Sequence, residues 1–62
     1  MIAFTAAQKK KGVERELRYR RRVYPRMVAV GKLSQATADE FIAMFEDIQR
    51  DYSAAVEAER LN

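Results

Sequence analysis

At sixty-two residues and 7.2 kDa the chain has room for one small domain and none for a lidded substrate cleft, and a domain of this size buries only about 60% of its unfolded surface. It contains no cysteine and no histidine, which removes disulfides, thiolate metal sites, the commonest zinc ligand and the commonest general base. A composition of 48% hydrophobic and 34% charged residues excludes a disordered tail, and the net charge of +3 conceals a strong polarity along the chain.

Residues 1–12 read as a flexible or partly helical arm. Thr5-Ala6-Ala7-Gln8 fits a capping box that starts a turn or two of helix, whereas Lys9-Lys10-Lys11-Gly12 places three like charges before a weak helix former. Residues 13–62 read as the domain proper.

Its first part predicts a helix with a broad apolar arc. Val13, Leu17, Tyr24 and Val28 share one face, and Tyr19, Val23, Met27 and Val30 make an adjoining one. Arg20 falls near the middle of the first face, so it is either partly buried against an acid or placed at a gap from which its head reaches water. Pro25 lacks a backbone donor and crowds the turn before it. Since apolar positions continue on both sides, the expectation is a kink in one helix rather than two short helices. Gly31 suits the left-handed position after a helix, and Gly31-Lys32-Leu33-Ser34 is short enough to turn the chain back on itself.

The second helix is expected from about Gln35 to about Glu59. Ser34 is a natural N-cap, with Thr37 and Glu40 as a rival capping box three residues later. Ala38, Phe41, Phe45, Ile48, Tyr52 and Ala55 follow the spacing of one helical stripe, with Ile42 and Val56 beside it and Glu59 breaking it. The expected fold is therefore all-α: an antiparallel two-helix hairpin with a Pro-kinked first helix. Leu17, Tyr24, Val28, Phe41, Phe45, Ile48 and Tyr52 are its expected core or dimer interface. Both helices carry apolar arcs wider than one neighbour covers, so the expectation is a homodimer forming a four-helix bundle, with a monomer closed by the N-terminal arm as the alternative.

Charge divides the chain at the turn. Residues 1–32 hold ten basic and two acidic side chains, a net +8, and residues 33–62 hold two basic and seven acidic ones, a net −5. Arg15, Arg18, Arg22 and Arg26 fall on the outward side of the first helix with Tyr19 beside them. Guanidinium forks suit phosphates and carboxylates, and a neighbouring tyrosine stacks on bases or buries in a partner. These five are the candidate binding residues for a protein or nucleic acid. The competing reading makes the outer arginines a solvated face and pairs the inner Arg20 and Arg21 with acids of the second helix, where Glu40, Asp47 and Asp51 line one flank and Asp39, Glu46 and Glu57 lie towards the back. Asp47 and Asp51 stand at the spacing of two cation ligands, but without a third they are better read as a solvated flank.

No catalytic signature is present. Two glycines make no phosphate loop, and Ser34 and Ser53 have no histidine to activate them. The expectation is a protein that is not an enzyme and takes no cofactor, metal or small-molecule substrate. No apolar run approaches the roughly 18 residues a bilayer span needs, and Met1-Ile2-Ala3-Phe4 lacks the charged leader of a secretory signal, so a cytoplasmic protein with no membrane partner is expected.

The run Glu16-Leu17-Arg18-Tyr19-Arg20-Arg21-Arg22-Val23-Tyr24-Pro25-Arg26, followed by Gly31-Lys32-Leu33-Ser34, Ala38, Ile42, Met44, Ile48 and Asp51-Tyr52, resembles small proteins encoded by bacterial phages and prophages. Members usually carry a larger aromatic where this chain has Met27. The resemblance implies a phage origin and a bacterial host cytoplasm, and no mechanism. Phage proteins of this size commonly bind host machinery, including defence systems, which by analogy makes the chain an interaction protein that inhibits or modulates a host protein or ribonucleoprotein. Direct DNA or RNA binding through the same arginines is the alternative, and a structural or assembly role in the phage particle is a third.

Overall fold

A computed structural model describes residues 3–61 as two long helices, α1 (Ala6–Ala29) and α2 (Gln35–Arg60), joined by a short turn and packed antiparallel. At about 1.5 Å of rise per residue they extend roughly 36 and 39 Å, in keeping with a molecule 47 × 22 × 17 Å along its principal axes. Met1, Ile2 and Asn62, which belong to the expected arm and domain, lie outside the described residues.

The arm is helical from Ala6 onward. Thr5 and Gln8 form the reciprocal cap: the Gln8 amide donates to Thr5 Oγ1 at 3.1 Å, and the Thr5 amide donates to Gln8 Oε1 at 2.9 Å. The lysine run and Gly12 do not interrupt the helix. One mid-helix glycine costs about 1 kcal/mol, and the Lys9 ammonium lies 5.8 Å from the centre of the Tyr52 ring on α2. The first turns of α1 thus have a tertiary contact, which the local sequence does not reveal.

Pro25 sits inside α1, and the helix continues through it to Ala29. Having no N–H, it gives nothing to the Arg21 carbonyl one turn back; its exposed position keeps that loss at the water-facing side. α1 then ends in a Schellman motif. The Gly31 amide donates to the Val28 carbonyl at 3.1 Å and the Lys32 amide to the Met27 carbonyl at 2.9 Å, which requires the left-handed φ of +76° at Gly31. Ser34 caps α2, its Oγ accepting from the Thr37 amide at 3.1 Å and donating to Thr37 Oγ1 at 2.8 Å. The C-cap Val30, Gly31 and the N-cap Ser34 lie within five residues, and together they set the return direction of the chain.

The core is small. Leu17, Tyr24 and Ala38 are buried, while Val28, Phe45, Ile48 and Tyr52 are half-buried along the seam. Phe41 lies outside this core at 37% exposure. The reason is the rotation of α2 about its own axis. Ile42, Glu46, Gln49, Ser53 and Val56 are half-buried along with Phe45, Ile48 and Tyr52, so the contact is shifted towards the Ile42–Glu46 side of the stripe and Phe41 is left at its other edge. A hairpin has one seam, and a stripe wider than that seam leaves one edge outside.

Candidate partner-binding face

Arg15, Arg18, Arg22 and Arg26 occur at spacings of three, four and four, so at about 100° per residue they stay within one strip of α1 opposite the buried Leu17 and Tyr24. All four are exposed, and among the described residues none has an ion-pair partner. Tyr19 lies beside them, 52% exposed, with the Arg22 guanidinium carbon 5.6 Å from its ring centre. That contact holds the ring along the ridge with one side open to water.

Two shallow open grooves follow the ridge. One is lined by Arg15, Arg18, Tyr19 and Arg22; the other, about 360 Å³, by Arg22, Val23, Arg26, Met27, Val30 and Lys32. Arg22 belongs to both, so the surface is continuous from a basic and aromatic half to a basic and apolar half. Neither groove encloses a small molecule, but a ridge of forked cations beside apolar side chains matches an extended acidic surface. Val23, Met27, Val30 and Lys32 lie outside the binding set expected from the sequence. The spacing of Tyr19, Val23, Met27 and Val30 was the available signal, because it aligns an apolar strip beside the arginines.

The inner arginines divide between the two sides of the seam. Arg21 reaches across to α2, its guanidinium 2.7 Å from a Glu46 carboxylate oxygen. This corrects the expected acid: Glu46, placed towards the back of α2, is the partner, because the rotation that exposes Phe41 brings Glu46 to the seam. Arg20 has no acid partner on α2 among the described residues and meets that helix through an aromatic ring instead. Its guanidinium lies 3.0 Å from the Glu16 carboxylate on its own helix, donates to the Tyr24 hydroxyl, and stacks over Phe45 at 4.4 Å from the ring centre. Its Nε is buried without a partner. The Tyr24 hydrogen bond, seconded by Glu16 and opposed by burial, raises the Arg20 pKa above its ordinary value, so this cation is permanent.

The expected acidic partners are distributed differently. Asp47 pairs with Arg50 of its own helix at 3.0 Å, and Glu40 and Asp51 have no ion pair among the described residues. They form an exposed acidic edge on α2 on the far side from Glu46. No group of three or more potential metal ligands occurs among the described residues, and no described helix is long and apolar enough to cross a membrane. No protein-family model, curated protein or solved structure matches this chain.

Proposed function

We propose that the chain is a phage-type interaction protein, acting in the bacterial cytoplasm, that binds a host protein or ribonucleoprotein through the α1 ridge and so inhibits or modulates it. The observation that carries this reading is the set of four exposed arginines, Arg15, Arg18, Arg22 and Arg26, that have no ion-pair partner among the described residues although Glu40 and Asp51 are also unpaired there. The origin rests on the resemblance of the arginine-rich run to small phage and prophage proteins. In this role the ridge supplies charge and Tyr19 supplies the aromatic anchor of the contact, a residue type that carries much of the energy at interfaces. Binding, with no chemistry of its own, is the whole activity.

Affinity capture from a bacterial lysate tests this. One host protein retained after nuclease treatment, and released when Arg15 and Arg18 are changed to Glu, is the expected result; loss of every partner on nuclease treatment contradicts it.

Tyr19 favours one second reading. An exposed ring flanked by guanidinium groups is the arrangement that stacks on unpaired bases. Direct nucleic-acid binding would weaken steeply with salt, with a slope of about −0.9 per phosphate neutralised on duplex DNA and about −0.7 on single strands. Anisotropy titrations on duplex and single strands at two salt concentrations measure it, and no binding at low salt removes this reading.

A further inference from the structure

We propose that a second copy of this chain covers the side of the hairpin on which Arg20 meets Phe45, in a dimer whose two-fold axis runs parallel to the helices, so that α1 of each copy packs against α2 of the other.

Arg20 and Arg21 are about 100° apart on α1 and straddle the seam, so the two broad sides of the hairpin can be told apart by what accompanies each. On the Arg21 side the Arg21–Glu46 bridge closes the seam, and the groove there is edged by Gln35 and Asp39 as well as by Pro25 and Val28. On the Arg20 side the neighbours one and two turns along α1 are Val23 and Met27, and those around Phe45 on α2 are Phe41, Met44 and Ile48. Phe41 is 37% and Met44 48% exposed. The Arg21 side is closed by an ion pair and carries Gln35 and Asp39 at the rim of its groove, whereas the Arg20 side leaves Phe41 and Met44 open to water.

Its size suits a protein partner. The broad face of a molecule 47 Å by 22 Å presents about 1,000 Å², against the roughly 800 Å² per partner that a standard stable interface buries. Arg20 and Glu16, the charges at the centre of the face, already pair with each other, and Arg20 also donates to Tyr24, so covering them strands neither.

Charge at the two edges selects a second copy as the occupant and fixes its orientation. The face is bordered on the α1 edge by the arginine ridge and on the α2 edge by Glu40, Asp47 and Asp51. A two-fold axis parallel to the helices lays each basic edge on the acidic edge of the other copy and preserves height along the bundle. Within one hairpin, Arg21 lies level with Glu46 and Lys9 with Tyr52. By the same levels Arg22 and Arg26, which share a groove with Val23 and Met27, fall opposite Glu40 of the partner subunit, whereas Arg15 and Arg18 line the groove beside Tyr19 and stay open to the partner proposed above. An axis across the helices would instead set arginine ridge against arginine ridge, with like charges opposed over four residues. The face is self-complementary in the first arrangement and self-repelling in the second. Every neighbouring pair in the resulting four-helix bundle is antiparallel.

Sedimentation equilibrium of the whole chain, with circular dichroism in parallel, tests the proposal independently of any host partner. The expected mass is twice the 7.2 kDa of the chain. Met44→Glu, at a position half-exposed in the hairpin, is expected to keep the helical signal and weaken association by about tenfold or more. For orientation, a chain with Arg22→Glu and Arg26→Glu, and a second with Glu40→Lys, should each self-associate weakly and should form a mixed dimer when combined. A wild-type monomer at all concentrations overturns the dimer, unchanged association of Met44→Glu overturns the face, and failure of the mixed pair to recover overturns the axis. A monomer that still captures a host partner would leave the ridge reading standing, and a dimer that captures none would remove only that reading.

Discussion

The Arg20 guanidinium carbon lies 4.4 Å from the centre of the Phe45 ring and so joins the two helices through a cation that also contacts Glu16 and Tyr24. An arginine that position alone would mark as a defect in an apolar arc is thereby part of the seam. Its stem adds apolar contact and its head stays charged.

Replacing Arg20 by Met keeps most of the stem and removes the cation. The expected loss of stability is about 1 kcal/mol, within the range of a partly shielded cation–π contact. Since the folded pKa is raised above the ordinary value of an arginine, the stabilisation is fully present below that ordinary value and is lost only as pH rises through the still higher folded one. Urea unfolding should therefore give the same difference between Arg20→Met and wild type at pH 6 and at pH 9. A difference that changes between those two values contradicts the assignment of a permanent cation.

The Arg21–Glu46 bridge is the only ion pair between the helices among the described residues, yet both side chains are largely exposed. A double-mutant cycle with Arg21→Ala and Glu46→Ala should give a coupling of under about 1 kcal/mol that falls further at high salt.

The two glycines should respond in opposite directions. A methyl group at Gly12 meets no atom within 4 Å and the residue lies mid-helix, so Gly12→Ala should stabilise the fold by about 0.5–1 kcal/mol. Gly31→Ala also meets no atom, but φ is +76° there, and the left-handed conformation costs a residue with a Cβ about 1–2 kcal/mol. Thermal unfolding of the two variants should move the midpoint up for the first and down for the second.

Thr5→Ala removes the hydroxyl that caps α1 and should cost about 1 kcal/mol in the stability of the N-terminal turns. The change is local. Hydrogen exchange should quicken at Gln8 and Lys9 and leave the amides around Leu17 protected.

Much of this architecture is legible from residue types and spacing. Gly31 and Ser34 mark the turn because each supplies a backbone or cap function that few residues supply, and the second helix begins at Gln35 and ends at Arg60, one residue beyond the expected end. The rotation of α2 is not legible in the same way. Its apolar stripe is wide, neighbouring positions are about 100° apart, and the choice between Glu46 and Asp47 as the seam acid depends on packing that no local pattern encodes. The Glu16–Arg20 pair, by contrast, stands at the favourable i, i+4 spacing and could have been read from the sequence directly. The helical state of Lys9 to Gly12 is only partly legible: the Thr5–Gln8 capping box favours it and the like charges and Gly12 oppose it, while the contact of Lys9 with Tyr52 adds support that only the fold provides. For the site, the ridge of Arg15, Arg18, Tyr19, Arg22 and Arg26 follows from the helical period alone, whereas its continuation through Met27 and Val30 to Lys32 depends on where α1 ends.

The claim that the outward arginines exist to bind a partner is tested most directly by comparing what the wild-type chain and the Arg15→Glu, Arg18→Glu variant retain from a nuclease-treated bacterial lysate, with both proteins first shown to be equally helical. The account predicts a host protein held by the wild-type chain and reduced at least about tenfold on the variant, in line with the loss of a central charged contact. The same proteins retained in the same amounts by both would contradict it.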